Sequence, residues 1–195
     1  LRIPKELSLD RSVRSSEHID QKIHCIYTLR SNSQKIELTT KIYNNALNHR
    51  VRIGFNLGEE ATYSEAEVFF DVIRRDAESK LDDTFWPEKT SPCKPKDRFV
   101  FAGNDDHGFL FIDPGWLKEY ELNPQGQFYL TLLRCSDYLS VETPPERSVS
   151  FTGPQIPTPM SQYVNEVIET EIVIYPLSSH WSKLPSFNFA DHFIK

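Results

Sequence analysis

Cysteine is scarce. The 195-residue chain holds three, Cys25, Cys93 and Cys135, widely spaced and without a CxxC pair. That excludes a thioredoxin-like redox motif and a paired-cysteine zinc site, and it points to a reducing, cytoplasmic setting. Cys25 and Cys135 each sit in an apolar, strand-like run and are expected to be buried as small hydrophobes. Long apolar runs are also missing. With no stretch of about 18 apolar residues, no membrane-spanning helix is expected, and no signal peptide precedes the first strand. Positive charge is in deficit, 22 Lys and Arg against 28 Asp and Glu for a net charge of −6. Without a basic stripe to displace counterions, no nucleic-acid partner is expected. The short cluster Lys94, Lys96 and Arg98 is diluted by Pro95 and Asp97, and it reads as a solvated loop.

Aromatic residues are plentiful, with 13 Phe, eight Tyr and three Trp. Each brings about 150–250 Å² of burial, and a chain of this size can remove roughly 70% of its unfolded surface from water. The expectation is one domain over residues 1–195, with tails at 1–15 and 182–195. Period-two alternation recurs along it. Ile23, Cys25, Tyr27 and Leu29 alternate with Lys22, His24, Ile26 and Thr28, while Ile36, Leu38, Thr40 and Ile42 alternate with Glu37, Thr39 and Lys41. Ser31-Asn32-Ser33 separates the two runs, predicting a β-hairpin. Further strands are expected at Val51–Phe55, Glu67–Ile73, Arg98–Ala102, Phe109–Ile112, Trp116–Leu122, Phe128–Cys135 and Val164–Tyr175. A short helix over Glu59–Asp71 is the rival reading of the second of these. Breakers such as Gly103-Asn104-Asp105-Asp106, Asp113-Pro114-Gly115 and Asn123-Pro124-Gln125-Gly126 divide the runs. The fold class is therefore all-β, an antiparallel β-sandwich with little helix. Two stretches, Asp82–Lys96 and the proline-rich Val141–Ser161, read as irregular.

Chemistry-bearing patterns are few. No serine lies in a GxSxG elbow, and the six histidines form no HxH, HxD or HExxH spacing. Asp105-Asp106-His107-Gly108 could ligate calcium or zinc, but a strand-joining turn needs the same residues. Glycoside chemistry requires two carboxyl groups about 5–10 Å apart across a substrate. Asp82/Asp83 and Asp105/Asp106 are neighbours in extended chain and point to opposite sides. Glu169 and Glu171 read as the solvated face of a strand. Neither catalytic nor metal-ligating residues are assigned. Trp86, Trp116 and Trp181 lie beside loops, where they either close the ends of the sandwich or offer a platform to a sugar ring.

The runs Tyr43-Asn44-Asn45-Ala46-Leu47-Asn48-His49-Arg50-Val51-Arg52-Ile53 and Phe69-Phe70-Asp71-Val72-Ile73-Arg74-Arg75 are followed by Arg98-Phe99-Val100 and Gly108-Phe109-Leu110. After them come Gly115-Trp116-Leu117-Lys118-Glu119-Tyr120-Glu121, Leu130-Thr131-Leu132-Leu133-Arg134-Cys135 and Gly153-Pro154-Gln155-Ile156-Pro157-Thr158-Pro159. In order and spacing over about residues 14–181, these resemble glycoside hydrolase family 38 α-mannosidases, the bacterial branch in particular, in their C-terminal β-sandwich region only. The resemblance implies a galactose-mutarotase-like supersandwich. It also implies a larger parent enzyme that cleaves α-mannosides with retention, whose zinc site and nucleophilic Asp lie in an earlier catalytic domain followed by a helical bundle. No cofactor is expected in this chain, whose implied partners are those two domains and, indirectly, the mannoside. One residue is carried over: Arg147, in Pro144-Pro145-Glu146-Arg147, corresponds to an Arg that the family presents toward the sugar, although Ser148-Val149-Ser150 stands where the family has Pro-Gly. A surface Arg is the other reading of that position. The first residue is Leu1 rather than Met, and the expectation is a chain excised from a longer one, non-catalytic by itself and prone to self-association through exposed apolar surface such as Pro154–Met160. A free-standing carbohydrate-binding module and an independent hydrolase are the alternatives.

Overall fold

The computed structural model describes residues 1–8, 12–79, 81–86, 90–140 and 154–183. Thirteen strands form the framework among them, with two single-turn 3-10 segments at Pro159–Gln162 and Trp181–Lys183. A seven-stranded antiparallel sheet carries β3 (Lys22–Leu29), β4 (Ile36–Asn44), β13 (Glu166–Leu177), β10 (Gly108–Ile112), β9 (Phe99–Gly103), β6 (Tyr63–Val68) and β7 (Asp71–Asp76), in that spatial order. Facing it is a four-stranded sheet of β5 (Arg50–Asn56), β12 (Gln127–Arg134), β11 (Glu119–Leu122) and β8 (Lys94–Pro95). A ribbon of β1 (Arg2–Pro4) and β2 (His18–Asp20) completes the set. The all-β antiparallel sandwich expected from alternation is the fold observed.

Alternation sets which face is buried. On β4, Leu38, Thr40, Ile42 and Asn44 turn inward, and on β13 Thr170, Ile172 and Ile174 do the same. They meet Phe128 and Leu130 of β12 and Tyr120 and Leu122 of β11, and Phe111 of β10 stacks on Phe128 with ring centroids 4.3 Å apart. Each such side chain, fully buried, is worth about 1.5–3 kcal/mol. A second cluster lies on the opposite face of the large sheet, where Tyr63, Phe99, Phe101, Leu110 and Ile112 are covered by Trp181. The Trp181 indole N–H donates to Glu65, so the covering residue is held by direction as well as by area.

Turn chemistry follows the breakers. Asn123 Oδ1 accepts the N–H groups of Gln125 and Gln127, and Gly126 sits at φ +70°, where a Cβ would fall 1.7 Å from the Gly58 carbonyl oxygen. No other residue fits there.

Three expectations are corrected. Glu67–Ile73 is neither one strand nor part of a helix. It is a hairpin whose turn is Phe69-Phe70, with Phe70 at φ +69° and β6 pairing β7 from Tyr63↔Asp76 to Val68↔Asp71. Trp116 lies outside a strand, and β11 begins only at Glu119. Cys25 is exposed, whereas Cys135 is buried as expected. The alternation placed Cys25 on the inward face correctly, but the four-stranded sheet does not reach far enough to cover it. Of the irregular stretch Val141–Ser161, residues 141–153 lie outside the described residues. Its remainder holds a bridge from Pro157 to Tyr138 and the start of the first 3-10 turn. Ile156 and Met160 in it are exposed, as foreseen for Pro154–Met160.

Candidate functional site

One end of the sandwich gathers charged and aromatic side chains from three loops. The β6 end, the segment entering β9 and the β10–β11 loop meet there. Asp113 opens that last loop, and its Oδ1 accepts the backbone N–H groups of Gly115, Trp116 and Leu117 at 2.9, 3.1 and 3.2 Å. Its other oxygen takes the ammonium of Lys96, and both side chains are almost wholly removed from water. Lys96 also donates to the Asp97 carbonyl at 2.9 Å. Burial pulls the Lys96 ammonium down from its ordinary range, and the Asp113 charge opposes that pull.

The same base carries two more pairs. Glu67 accepts the Arg98 backbone N–H at 2.9 Å and its Nε at 3.0 Å, and the Arg98 Nη2 lies on the other carboxylate oxygen. Lys118 pairs with Asp97, whose backbone N–H donates to the Glu67 carbonyl at 2.7 Å. Charge-assisted, forked contacts of this kind fix orientation as well as adding energy. The Lys94–Arg98 cluster, expected to be a solvated loop, is corrected here: Lys96 is 4% exposed and Arg98 is held by Glu67. The partners lie 17 and 31 residues away in the chain, beyond the reach of any local pattern.

Above this stapled base stand three bare rings. Trp116 is 75% exposed, Phe69 84% exposed, and Phe70 completely so. A cavity of about 340 Å³ lies beside Phe70, lined also by Glu67, Val68, Asp71 and Val72. The charged groups below are engaged with one another, so what this end offers outward is apolar area. Among the described residues it brings together no nucleophile with a base.

The other sequence candidates are dispersed. Trp181 is buried in the second cluster, and Trp86 is exposed on a separate loop. Of the three tryptophans, Trp116 alone belongs to the aromatic end. The quartet Asp105–Gly108 is a turn built on Asn104, whose Oδ1 accepts from Asp106 and His107. Asp105 there accepts from the Tyr63 hydroxyl at 3.0 Å, and the Arg74 guanidinium lies 3.4 Å over the Tyr63 ring. Burial first, and the Asp105 carboxylate second, push the Tyr63 hydroxyl above its usual range. His107 faces Glu60 at 3.0 Å. Glu169 and Glu171 lie on the solvated face of β13, Glu169 paired with Lys41 at 3.0 Å. Among the described residues no three His, Cys, Asp or Glu side chains converge, so nothing in them fits a zinc ion. Arg147 lies outside the described residues.

Phe69 and Phe70 went unrecognised as surface residues because Val68-Phe69-Phe70 has the composition of a core strand. The one local hint was Asp71 behind them, whose Oδ1 caps the Val72 N–H at 2.7 Å.

With this geometry in place, two solved structures are found to share the architecture. An α-mannosidase from Enterococcus faecalis V583 superposes with a TM-score of 0.75 and 21% identity, over 93% of this chain and 19% of that one. A protein in the glycosyl hydrolase family 38 from Enterococcus faecalis gives 0.76 and 18%, over 100% and 22%. The chain folds like one segment of each. It therefore spans about a fifth of the length of the solved chains it matches. No protein-family profile matches the sequence, and no curated protein matches it either.

Proposed function

We propose that this chain is the non-catalytic C-terminal β-sandwich of a family-38 α-mannosidase, where it packs on and supports the catalytic domain. The observation that carries this reading is the asymmetry of coverage. The whole of this chain is accounted for by a fifth of a glycosidase. The seven sequence runs quoted above support it independently of the superposition. In this reading zinc and the nucleophilic carboxylate belong to the catalytic domain. The three thiols, all free, suit the cytoplasmic setting we assign. Phe69, Phe70 and Trp116 on their stapled base fit an apolar contact with a neighbouring domain better than a sugar platform. A sugar site needs free donors and acceptors for hydroxyl groups, and here those groups bind one another.

The test is an assay of two proteins with a chromogenic α-mannoside in the presence of zinc. The complete polypeptide encoded by this gene is expected to turn the substrate over, and the 195-residue chain alone is expected to give no rate. Turnover by the 195-residue chain, or a gene product no longer than it, overturns the reading. Calorimetric titration of the chain with a mannoside is expected to give flat heats at millimolar sugar. A saturating isotherm would instead establish a free-standing carbohydrate-binding module.

A further inference from the structure

The sandwich has four lateral edges, and three of them are protected. β7 is six residues long and carries Asp71, Arg74, Arg75 and Asp76. β8 is two residues long and ends in Pro95. β5 bears Arg50 and Arg52, which pair with Glu119 and Glu121. These are the usual devices against unwanted strand pairing. β3 has none of them. It pairs with β4 over all eight residues, from Lys22↔Tyr43 to Leu29↔Ile36, and no strand among the described residues pairs with its other side. Its one lysine stands at the extreme end, and the rest reads Ile-His-Cys-Ile-Tyr-Thr-Leu.

The inward row of this strand continues the core and then runs out of cover. Ile23, Cys25, Tyr27 and Leu29 lie beside Ile42, Thr40, Leu38 and Ile36 of β4, of which Ile42, Thr40 and Leu38 are fully buried. Ile23 is packed against the core, yet Tyr27 is 55% and Leu29 73% exposed. The facing sheet stops at β5, whose inward Val51, Ile53 and Phe55 are themselves only partly buried. Between the two edges is a cavity of about 340 Å³ whose floor includes Ile3, Gln21, Ile23, His49 and Val51 and whose rim carries Arg14, Arg50 and Arg52. Gln21 in it is 1% exposed, and its Oε1 has no hydrogen-bond partner among the described residues. The two ring nitrogens of His49 are likewise buried without one. A buried polar atom left unpaired is unfavourable, and a partner that reaches it is correspondingly favoured.

We infer that the β3 edge is a docking site for an extended backbone segment with apolar side chains on alternate residues, supplied by the remainder of a mannosidase-length polypeptide. The inference rests on the function proposed above and adds the surface and the mode. An added strand would satisfy the free N–H and C=O groups of β3, and the apolar layer that carries it would extend the facing side past β5 over the Cys25–Tyr27–Leu29 row. Its backbone or an adjoining layer would reach the cavity that holds Gln21 and His49. A second copy of this chain fits less well. Antiparallel self-pairing of β3 extends the large sheet but leaves the inward row uncovered, because the facing sheet would still end at β5 on each side.

Cys25 reports on this edge. In the complete polypeptide encoded by this gene, maleimide labelling of Cys25, read by peptide mass spectrometry, is expected to be slower than in the 195-residue chain by about tenfold or more. Amide exchange along Lys22–Leu29 is expected to slow with it. Tyr27→Lys in the complete polypeptide is expected to restore fast labelling without unfolding the domain, as the unchanged protection of buried Cys135 will show. Equal Cys25 rates in the complete polypeptide and the 195-residue chain would overturn the inference. So would protection that appears in the 195-residue chain with rising concentration but is absent from the complete polypeptide, which would assign the edge to a second copy. An intact mass showing the gene product to be no longer than this chain would remove the proposed function instead, so the two failures are distinguishable.

Discussion

The two long sides of the sandwich are finished differently. On the side of β7 and β8 the sheets are laced together. Arg75 donates to the Tyr120 hydroxyl at 3.1 Å and to the Pro95 carbonyl at 3.4 Å, and Ser64 meets the same hydroxyl at 3.0 Å. The Lys96–Asp113 pair closes the adjoining loop. On the side of β3 and β5 no comparable lacing appears among the described residues. A ribbon crosses one end, where Leu47 donates to the Lys5 carbonyl at 2.8 Å, and beyond it the inward row of β3 faces water. Identical period-two sequence logic made both sides. What separates them is whether polar groups from the facing sheet arrive to receive the edge, and strand propensity does not encode that.

The contrast can be broken or sharpened by substitution. The largest effect is expected from Lys96→Ala, which strands a buried carboxylate. A loss of about 3–5 kcal/mol in urea denaturation is expected, and a loss under about 1 kcal/mol would mean that the pair does not hold the laced side. Tyr120→Phe deletes one hydroxyl shared by Ser64 and Arg75 and is expected to cost about 1–2 kcal/mol by the same measurement. On the open side the expected response is to pH. Burial first, and then the Arg14 charge, hold the His49 imidazole below its ordinary range. Its neutral form is therefore the one the folded chain keeps. As pH falls through about 6.5 the unfolded chain takes up a proton that the folded chain resists, so stability declines on acidification. Denaturation midpoints should drop between neutral and mildly acidic buffer, and His49→Phe should flatten that part of the slope. The smallest effect belongs to Leu29→Ser, expected to change stability of the 195-residue chain by no more than about 0.5 kcal/mol. A larger loss would show that the row is already covered.

Much of the architecture was legible in the sequence because it is written locally. The β3–β4 hairpin follows from two alternating runs around Ser31-Asn32-Ser33, and the strands β5, β9, β10, β12 and β13 stand where alternation and breakers placed them. The errors have two physical origins. Cys25, Lys96 and Phe70 have environments set by residues distant in the chain, or by a backbone conformation their side chains do not favour. Cys25 is exposed by the reach of another sheet, Lys96 is buried by a carboxylate across a loop, and Phe70 turns outward in a left-handed tip. The aromatic end was legible by one residue of three, Trp116. Its ion-paired base was not legible at all, since pairing over 17 to 31 residues leaves no trace in spacing.

β13 has a consequence for how the molecule would come apart. Glu166–Ile174 hold β4, while Val173–Leu177 hold β10, so only Val173 and Ile174 are flanked on both sides. The large sheet is thus two panels joined by an overlap of two residues. The panel of β3, β4 and the first part of β13 can open as one cooperative unit while the β10-β9-β6-β7 panel keeps its own ladder and the Trp181 cover. Under mechanical load or mild denaturant the seam at Val173–Ile174 is where tearing would begin, and the uncovered edge would leave first.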